Sequence, residues 1–349
     1  MKFKEYKLEE IINCFDNKRK PLSSLQRQKI KGIYPYYGAQ EIIDYIDRYI
    51  FDGKYLILAE DGENLRSNVK PLVKLIDGKF WINNHAHIFQ TNEKCKIEYL
   101  YYALLKTNIK PFITGTTQPK LNQSNMLKIR VKIPNVYNQN KIVKILETID
   151  RKISNNTQTN NNLYEIIKVQ YNNFMSKITK YDLVKLKDIA IISSGKRPKN
   201  KGKEYKIPLI GASGIMSYTE DYNSDSDILV IGRVGTLGVV QRYFDKVWLS
   251  DNTISIKTEY INTLESYLRY VDYQSLNRGS TQPLITQTDI NNLEIKFRKN
   301  EFVKFENEVK ELRNRIVLNN MQNKVIEKVR DTLLPKLMNG EIDLDKIEI

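Results

Sequence analysis

The chain has 349 residues, 56 of them Lys or Arg against 41 Asp or Glu, for a formal net charge of +15, and 41% of it is hydrophobic. That length suits two domains of middling size, and that hydrophobic share suits a folded protein, which sets disorder aside. Cys14 and Cys95 make no CxxC pair, so a disulfide framework and a zinc knuckle are excluded and two free thiols in a reducing compartment are expected. Residues 1–7 turn polar at once, without the apolar core of a signal peptide, and no apolar run approaches membrane-spanning length. A soluble cytoplasmic protein is therefore expected. The positive surplus points to a polyanionic partner, of which nucleic acid is the commonest. Lys, Asn and Ile are all frequent, however, as AT-rich coding would produce, so charge alone does not decide.

Taken in order, the chain opens with Tyr6-Lys7-Leu8-Glu9-Glu10-Ile11 and a basic region holding Lys18, Arg19, Lys20, Arg27, Lys29 and Lys31. Pro35-Tyr36-Tyr37-Gly38-Ala39 follows, then β-rich runs at 54–60 and 70–76 around a turn-forming segment with Gly62 and Asn64. Trp81 precedes a polar stretch with Asn83, Asn84, His85 and His87. A helical segment is expected at 97–106, and Gly115-Thr116-Thr117-Gln118-Pro119 comes next. Between 139 and 178 the pattern takes helical period, with Ile142, Ile145, Leu146, Ile149 and Ile153 on one stripe that resumes at Leu163, Ile167, Phe174 and Ile178.

The same series then recurs. Val184-Lys185-Leu186-Lys187-Asp188-Ile189 matches the opening, and the basic run Gly195-Lys196-Arg197-Pro198-Lys199-Asn200-Lys201-Gly202-Lys203 matches the first basic region. Pro208-Leu209-Ile210-Gly211-Ala212 matches 35–39, and the offset from Pro35 to Pro208 equals that from Gly38 to Gly211. β-rich runs at 227–232 and 238–244 frame Gly232-Arg233-Val234-Gly235-Thr236-Leu237-Gly238. Trp248 pairs with Trp81, a helix is expected at 261–272, and Gly279-Ser280-Thr281-Gln282-Pro283 repeats the earlier pentapeptide. Phe302, Phe305, Val309, Leu312 and Ile316 form a second stripe, resuming at Ile326, Leu333 and Leu337. Several matches in one order mean a tandem duplication of a whole unit, because solenoid repeats run to only a few tens of residues.

Spacings of three and four fit a coiled-coil seam in which Ile149, Ile153, Leu163 and Ile167 meet Leu312, Ile316, Ile326 and Leu333. Both stripes are interrupted at one place, by Asn156 and Asn160 in the first and Asn319 and Asn323 in the second. A loop between two shorter helices is one reading, since residues 154–162 are polar. One long helix whose buried asparagines fix register is the preferred one, and from 139 to 178 it would span roughly 60 Å at about 1.5 Å per residue. The fold expected is α+β: two similar α/β heads at 1–138 and 181–299, each followed by a spacer helix, at 139–180 and 300–349. The two helices pair as an antiparallel coiled coil.

This order resembles the type I restriction–modification specificity subunits along nearly the whole chain. The resemblance is carried by the Gly-Ser/Thr-Thr-Gln-Pro and Pro-x-x-Gly-Ala segments of both halves, by the loop 232–238, and by the helix ending Leu333-Leu334-Pro335-Lys336-Leu337-Met338-Asn339-Gly340-Glu341-Ile342. It implies that each head is a target-recognition domain for one half of a split double-stranded DNA site. It also implies that the helices space the heads and dock two modification subunits. Those partners bind S-adenosylmethionine and methylate adenine, while a restriction subunit, where one accompanies them, cleaves. No cofactor of the chain's own is implied. One departure is that residues 59–64, Ala-Glu-Asp-Gly-Glu-Asn, stand where the second half has its glycine-spaced loop. The heads therefore differ, and an asymmetric site is implied.

An enzyme needs catalytic groups, and the chain has neither an Asn/Asp-Pro-Pro-aromatic loop nor a catalytic Cys after Pro. Asp289 with Glu294 and Lys296 weakly suggests a nuclease triad, but Arg130 stands opposite Glu294 in the repeat. The loop 232–238 lacks the Gly-Lys-Ser/Thr of a P-loop and reads as a tight turn from whose tip Arg233 can reach guanine or phosphate. His85 and His87 lack further ligands nearby in sequence, so no metal is expected; His85 with Asn83 and Asn84 suits base-edge contact. Lys196, Arg197, Lys199 and Lys201, like Lys18, Arg19 and Lys20, suit phosphates, with a solvated loop as the bland alternative. For Gln118 and Gln282 a structural turn and a DNA-facing loop both stay open, and Asn64 is a candidate DNA contact in the loop 59–64, of a different kind from the loop 232–238. Two other classes also remain open on the residues alone. One is a stand-alone DNA-modifying enzyme, the other a coiled-coil scaffold whose charge is incidental.

Overall fold

The computed structural model describes residues 1–39, 41–62, 64–67, 71–115, 117–202 and 204–344. Glu63, Lys70, Thr116 and Lys203 of the sequence motifs lie outside the described residues. The chain divides into two units, Met1–Ser154 with Asn323–Ile349 and Asn155–Gln322.

The first unit holds β1 (Phe3–Lys7), β2 (Ile12–Cys14), α1 (Ser24–Lys29), β3 (Lys31–Tyr37), β4 (Ile42–Ile46), β5 (Phe51–Asp52), β6 (Tyr55–Ala59) and α2 (Asn64–Ser67). It continues with β7 (Val73–Ile76), β8 (Lys79–Ile82), β9 (Ala86–Thr91), α3 (Ile97–Lys106), α4 (Gln123–Met126) and β10 (Arg130–Pro134). Helix α5 (Val136–Lys177) follows. The second unit holds β11 (Asp182–Lys185), α6 (Leu186–Ile189), β12 (Ile191–Ser194), β13 (Ile207–Gly211), β14 (Gly214–Thr219), β15 (Ile228–Gly232) and β16 (Val240–Tyr243). Then come β17 (Trp248–Leu249), β18 (Thr253–Lys257), α7 (Ile261–Leu268), α8 (Gln287–Asn291), β19 (Glu294–Phe297) and helix α9 (Lys299–Asn339).

The sheets of the two units correspond one to one. β1 pairs β10 as β11 pairs β19, and β2-β9-β6-β7 has the strand order of β12-β18-β15-β16. The third sheet, β4-β3-β8-β5, is matched by β14-β13-β17. In both third sheets the Pro-x-x-Gly-Ala strand runs parallel to the tryptophan strand, with Tyr36 opposite Trp81 and Leu209 opposite Trp248. The apolar runs Leu56-Ile57-Leu58-Ala59 and Ile228-Leu229-Val230-Ile231 are buried on both faces, as central strands require.

Each unit closes its core with parts of both long helices. In the first unit Leu8, Leu56, Phe89, Leu100 and Leu104 pack with Ile142 and Leu146 of α5 and with Leu334 and Leu337 of α9. In the second, Leu229, Ile254 and Leu264 pack with Phe302 of α9, and Phe174 and Met175 of α5 lie against them. Burying a leucine or phenylalanine this fully stabilises by about 1.5–3 kcal/mol relative to exposure, so neither helix stands apart from the heads.

Helix α5 is continuous through residues 154–162, so the loop reading gives way to the long helix. The helix pairing is antiparallel within each unit. Arg330 Nη1 donates to Asp150 Oδ1 and Asn323 Nδ2 to the Ile153 carbonyl in the first, while Asn156 Nδ2 donates to Gln322 Oε1 in the second. Asn160 accepts from Asn319 and donates to Asn320, both at 2.8 Å. Asn156, Asn160 and Asn319 are buried, and their side-chain hydrogen bonds across the seam offset the desolvation that the position imposes. Ile167 and Ile316 are buried with Phe305 and Val309, and Leu163 and Leu312 pack against that cluster. Leu333 packs against the first unit's core, while Ile149, Ile153 and Ile326 are half-buried. Among the described residues no helix is long and apolar enough to cross a membrane.

Candidate nucleic-acid interface

In the second unit the fold brings the glycine-spaced loop and the Gln-Pro turn together. Val234 and Leu284 form an antiparallel bridge, Gly235 N donates to the Pro283 carbonyl at 2.9 Å, and Ile285 N donates to the Arg233 carbonyl at 2.9 Å. Arg233 and Gln282 thus sit on paired segments, Gln282 exposed and Arg233 half-buried. The Arg233 Nε is buried without a hydrogen-bond partner, and Arg233 makes no ion pair among the described residues. Asp289, by contrast, is fully used. It caps α8 through the Thr286 N–H and hydroxyl, and it accepts from Arg278.

Asn277 Oδ1 accepts from both Gly279 N and Leu284 N, which closes the turn around 279–283. A Cβ on Gly279 would lie 1.9 Å from the Gln282 carbonyl oxygen, and one on Gly115, at φ +86°, would lie 2.2 Å from that of Gln118. Both turns therefore demand glycine. Each segment forms a tight structural turn, and Gln118 and Gln282 are exposed on it.

The basic run of the second unit is held by backbone. Gly195 N donates to the Thr253 carbonyl, Lys196 N to the Leu249 carbonyl, and Gly202 N to the Tyr218 carbonyl. The Trp248 indole Nε1 donates to the Lys196 carbonyl at 2.7 Å. Lys196, Lys199 and Lys201 project into solvent, and Arg197 Nε donates to Asp251 Oδ2 at 2.6 Å while remaining exposed.

The first unit repeats the arrangement with other side chains. Asp61 and Lys120 form an antiparallel bridge, Leu121 N donates to the Glu60 carbonyl at 2.7 Å, and Trp81 Nε1 donates to the Lys20 carbonyl at 2.6 Å. Lys18, Lys20, Asn84, His85 and Gln118 are exposed and Asn64 is half-buried on α2. The Lys18 ammonium lies over the Phe15 ring at 5.0 Å, and His85 Nδ1 is 2.8 Å from Asp61 Oδ2.

Two predicted contact residues are not brought to this surface. Asn83 is buried and its Oδ1 accepts from His85 N at 2.9 Å, so it shapes the turn beneath His85. Only 14% of the Arg19 side chain is exposed. It donates to Glu60 Oε2 at 2.6 Å and to the Ala86 carbonyl at 2.8 Å. These belong to an ion network that the sequence did not announce. Asp16, Glu60 and His87 offer ligand atoms within 4.8 Å of one another, with His87 Nδ1 2.6 Å from Asp16 Oδ2 and Nε2 2.7 Å from the Leu121 carbonyl. The Arg19 guanidinium and the Lys120 ammonium, 3.4 Å from Glu60 Oε1, already balance the two carboxylates. The donor set is therefore that of a structural ion network rather than of a metal centre. Burial pushes the Asp16 carboxyl up, but the hydrogen bond and charge of His87, the Ile88 N–H and Arg19 outweigh it and hold it below the usual carboxylate range.

A second network, also absent from the sequence reading, lies in the second unit. Glu265, 1% exposed, accepts from Arg313 Nη1 at 3.0 Å, Arg269 Nη2 at 2.8 Å and Arg242 Nη1 at 3.1 Å. Burial pushes its carboxyl up and the three guanidiniums pull it down further, leaving it below the usual range. Its partners are as far as 48 positions away, so no local pattern signals it.

Known proteins show the same doubling. A family model described as the type I restriction modification DNA specificity domain matches residues 1–165 and again 179–298, one match on each head. A type I restriction enzyme specificity subunit of Haemophilus influenzae is 37% identical over 142 residues, 41% of this chain and 36% of that protein. The MjaIX specificity subunit of Methanocaldococcus jannaschii is 24% identical over 307 residues, 72% of this chain and 70% of that one. The chain's match thus spans about a third of the length of the first relative. The crystal structure of a type I restriction–modification S subunit from M. genitalium shares the fold, with a TM-score of 0.61 over 97% of this chain and 96% of that chain, at 16% identity. With one family model laid twice on two heads of one topology, the chain belongs to the family of type I restriction–modification DNA specificity domains.

Proposed function

We propose that this chain is the non-catalytic specificity subunit of a cytoplasmic type I restriction–modification complex, reading a bipartite, asymmetric double-stranded DNA site. The carrying observation is the repeated one. In each head a loop after a central strand pairs with the Gln-Pro turn, and a tryptophan pins a basic segment in the same head. Lys196, Lys199 and Lys201 in one head and Lys18 and Lys20 in the other are suited to phosphates, which position without specifying. Arg197, tied to Asp251, flanks the first set. Arg233, lacking a carboxylate partner, is suited to a guanine edge, and Gln282, Gln118, His85, Asn84 and Asn64 to other base edges. Arg19 and Asn83 support these groups from beneath. Because residues 59–64 and 232–238 differ in chemistry, the two half-sites differ.

Adenine methylation, and cleavage where a restriction subunit is present, falls to the partners, which carry the S-adenosylmethionine. Residues 1–138 and 181–299 serve as readers and 139–180 and 300–349 as the spacer on which two modification subunits dock. Leu318 and Met321 in the second unit, and separately Val325 and Val329 in the first, are exposed apolar residues that such partners would cover. The test is methyl transfer from labelled S-adenosylmethionine to genomic DNA by the chain, by its cognate modification subunit, and by both together, with methylated adenines mapped. A split, asymmetric motif that needs both proteins is expected. Methylation by the chain alone would make it an enzyme, and methylation indifferent to the chain would leave it a scaffold.

A further inference from the structure

The third sheet of each head ends in an edge strand whose outer face is apolar, and the two edges match residue by residue. Strand β4 turns out of β3 at Gly38, whose N–H donates to the Glu41 carbonyl at 2.8 Å, and β14 turns out of β13 at Gly211 and Gly214. A Cβ on Gly38 would approach Ile43 Cγ2 to 3.1 Å, and one on Gly211 would approach Met216 Sδ to 3.1 Å. The glycine of each Pro-x-x-Gly-Ala motif thus leaves room for the apolar side chain lying across it. Ile43 is 50% and Met216 53% exposed, and two residues on, Tyr45 is 50% and Tyr218 38% exposed. Tyr45 stands opposite Pro35 and Tyr218 opposite Pro208. The register of each hairpin shifts at Ile43 and at Met216, where a bulge interrupts the alternation; Ile43 and Tyr45, and Met216 and Tyr218, are exposed while Ile46 and Thr219 turn inward.

An exposed apolar edge strand invites aggregation, and natural sheets usually blunt such edges with charge. Here two diverged heads both keep an apolar residue and a tyrosine at the equivalent positions. Lysines lie along both edges, with Asp47 beside β4 and Glu204 and Glu220 beside β14 among them. Gly202 N donates to the Tyr218 carbonyl, which holds the Lys199–Lys201 stretch along the edge of β14. Asp47 N donates to the Ile30 carbonyl and Lys31 stands opposite Ile46, which holds Lys29 and Lys31 beside β4. The one carboxylate on that strand, Asp44, is matched by Arg27 and Lys31.

We propose that the β3–β4 and β13–β14 hairpins enter a DNA groove. There the Ile43–Tyr45 and Met216–Tyr218 faces touch base edges while the neighbouring lysines hold the phosphates. A two-stranded ribbon fits a major groove about 12 Å wide, apolar groups recognise the thymine methyl, and an aromatic ring rests on a base or sugar face. The inference rests on the specificity-subunit reading and adds to it a second reading element in each head, beside the loops.

The test uses the chain assembled with its cognate modification subunit and maps methylated sites for two double variants, Ile43→Ser/Tyr45→Ala and Met216→Ser/Tyr218→Ala. Each is expected to relax base preference in one half-site by about tenfold or more and to leave the other half-site as it was. The untouched half-site reports that the rest of the chain is folded. Ile43→Val and Met216→Leu, which keep the apolar face, are expected to keep the preference. Unchanged preference at both half-sites in both double variants would overturn the inference. So would loss of assembly with the modification subunit, which would make the face a protein contact. A wild-type complex that yields no split motif would instead sink the specificity reading itself, whatever the hairpins do.

Discussion

The Trp248 indole N–H donates to the Lys196 carbonyl at 2.7 Å, tying the start of a basic loop to the strand that runs parallel to β13. Trp81 does the same for Lys20 at 2.6 Å in the other unit. The contact is to backbone, so it fixes where the loop runs while leaving its side chains free to vary. That suits a scaffold whose reading residues differ between two copies. Trp248→Phe keeps most of the ring and removes the donor. It is expected to lower stability by about 0.5–1.5 kcal/mol and to weaken DNA binding through one half-site, seen by thermal unfolding and by titration of half-site variants.

Arg233 and the lysines of the basic run are expected to separate by their salt dependence. Arg233→Ala is expected to cost about 1–3 kcal/mol and to relax preference at one base position of one half-site. Lys199→Ala and Lys201→Ala are expected to weaken binding to all sequences alike, each lowering the slope of log affinity against log salt by about 1. Equal loss at both half-sites in the Arg233 variant would count against its assignment.

Glu265 is expected to be the costliest surface-remote change in the second unit. Its removal leaves Arg313, 7% exposed, and Arg242, 13% exposed, without their shared carboxylate, although Asp227 still holds Arg242. Glu265→Ala is expected to destabilise by about 3–5 kcal/mol. Arg330→Ala, which removes an ion pair with Asp150 about a third exposed on both sides and leaves Asp150 accepting from the Tyr102 hydroxyl, is expected to cost far less, about 1 kcal/mol or below. Chemical denaturation of the two variants side by side checks the ranking.

Asp16 sets an acid-side dependence. Its folded carboxyl lies below its ordinary value, so its contribution is fully present above the unfolded pKa, about 3.9, and is lost as pH falls through the folded one. The thermal midpoint of the wild type is expected to drop more steeply between pH 5 and pH 3 than that of Asp16→Asn, which is less stable near neutrality. A parallel pair of curves would show that the network with His87, Glu60 and Arg19 contributes nothing through this proton.

The seam asparagines are expected to behave as a unit. Asn160→Leu strands the Nδ2 donor of Asn319, and Asn319→Leu strands the Oδ1 acceptor of Asn160. Each single change is expected to cost about 1–3 kcal/mol. The double Asn160→Leu/Asn319→Leu removes both polar groups and is expected to be more stable than either single variant. It is also expected to lose fixed helix register, measurable as heterogeneous disulfide trapping between cysteines placed along α5 and α9.

The duplication and the long helices were legible in the sequence because each rests on a local rule: motifs repeated in one order, and a period of three and four residues. The seam asparagines were legible for the same reason, since their position in the stripe is a matter of counting. The sequence could not distinguish Arg19 from Arg233. Both are arginines near turns in a basic head. Yet one is neutralised by Glu60, 41 positions away, and the other keeps its charge unpaired within the described residues. The networks around His87 and Glu265 and the apolar edges of β4 and β14 have the same origin. Burial and partnership of a charged or exposed group depend on which distant segments the fold sets against it, and no local spacing encodes that. By itself the sequence determined that there are two equivalent units. Only the tertiary structure decided which of their side chains are left facing outward.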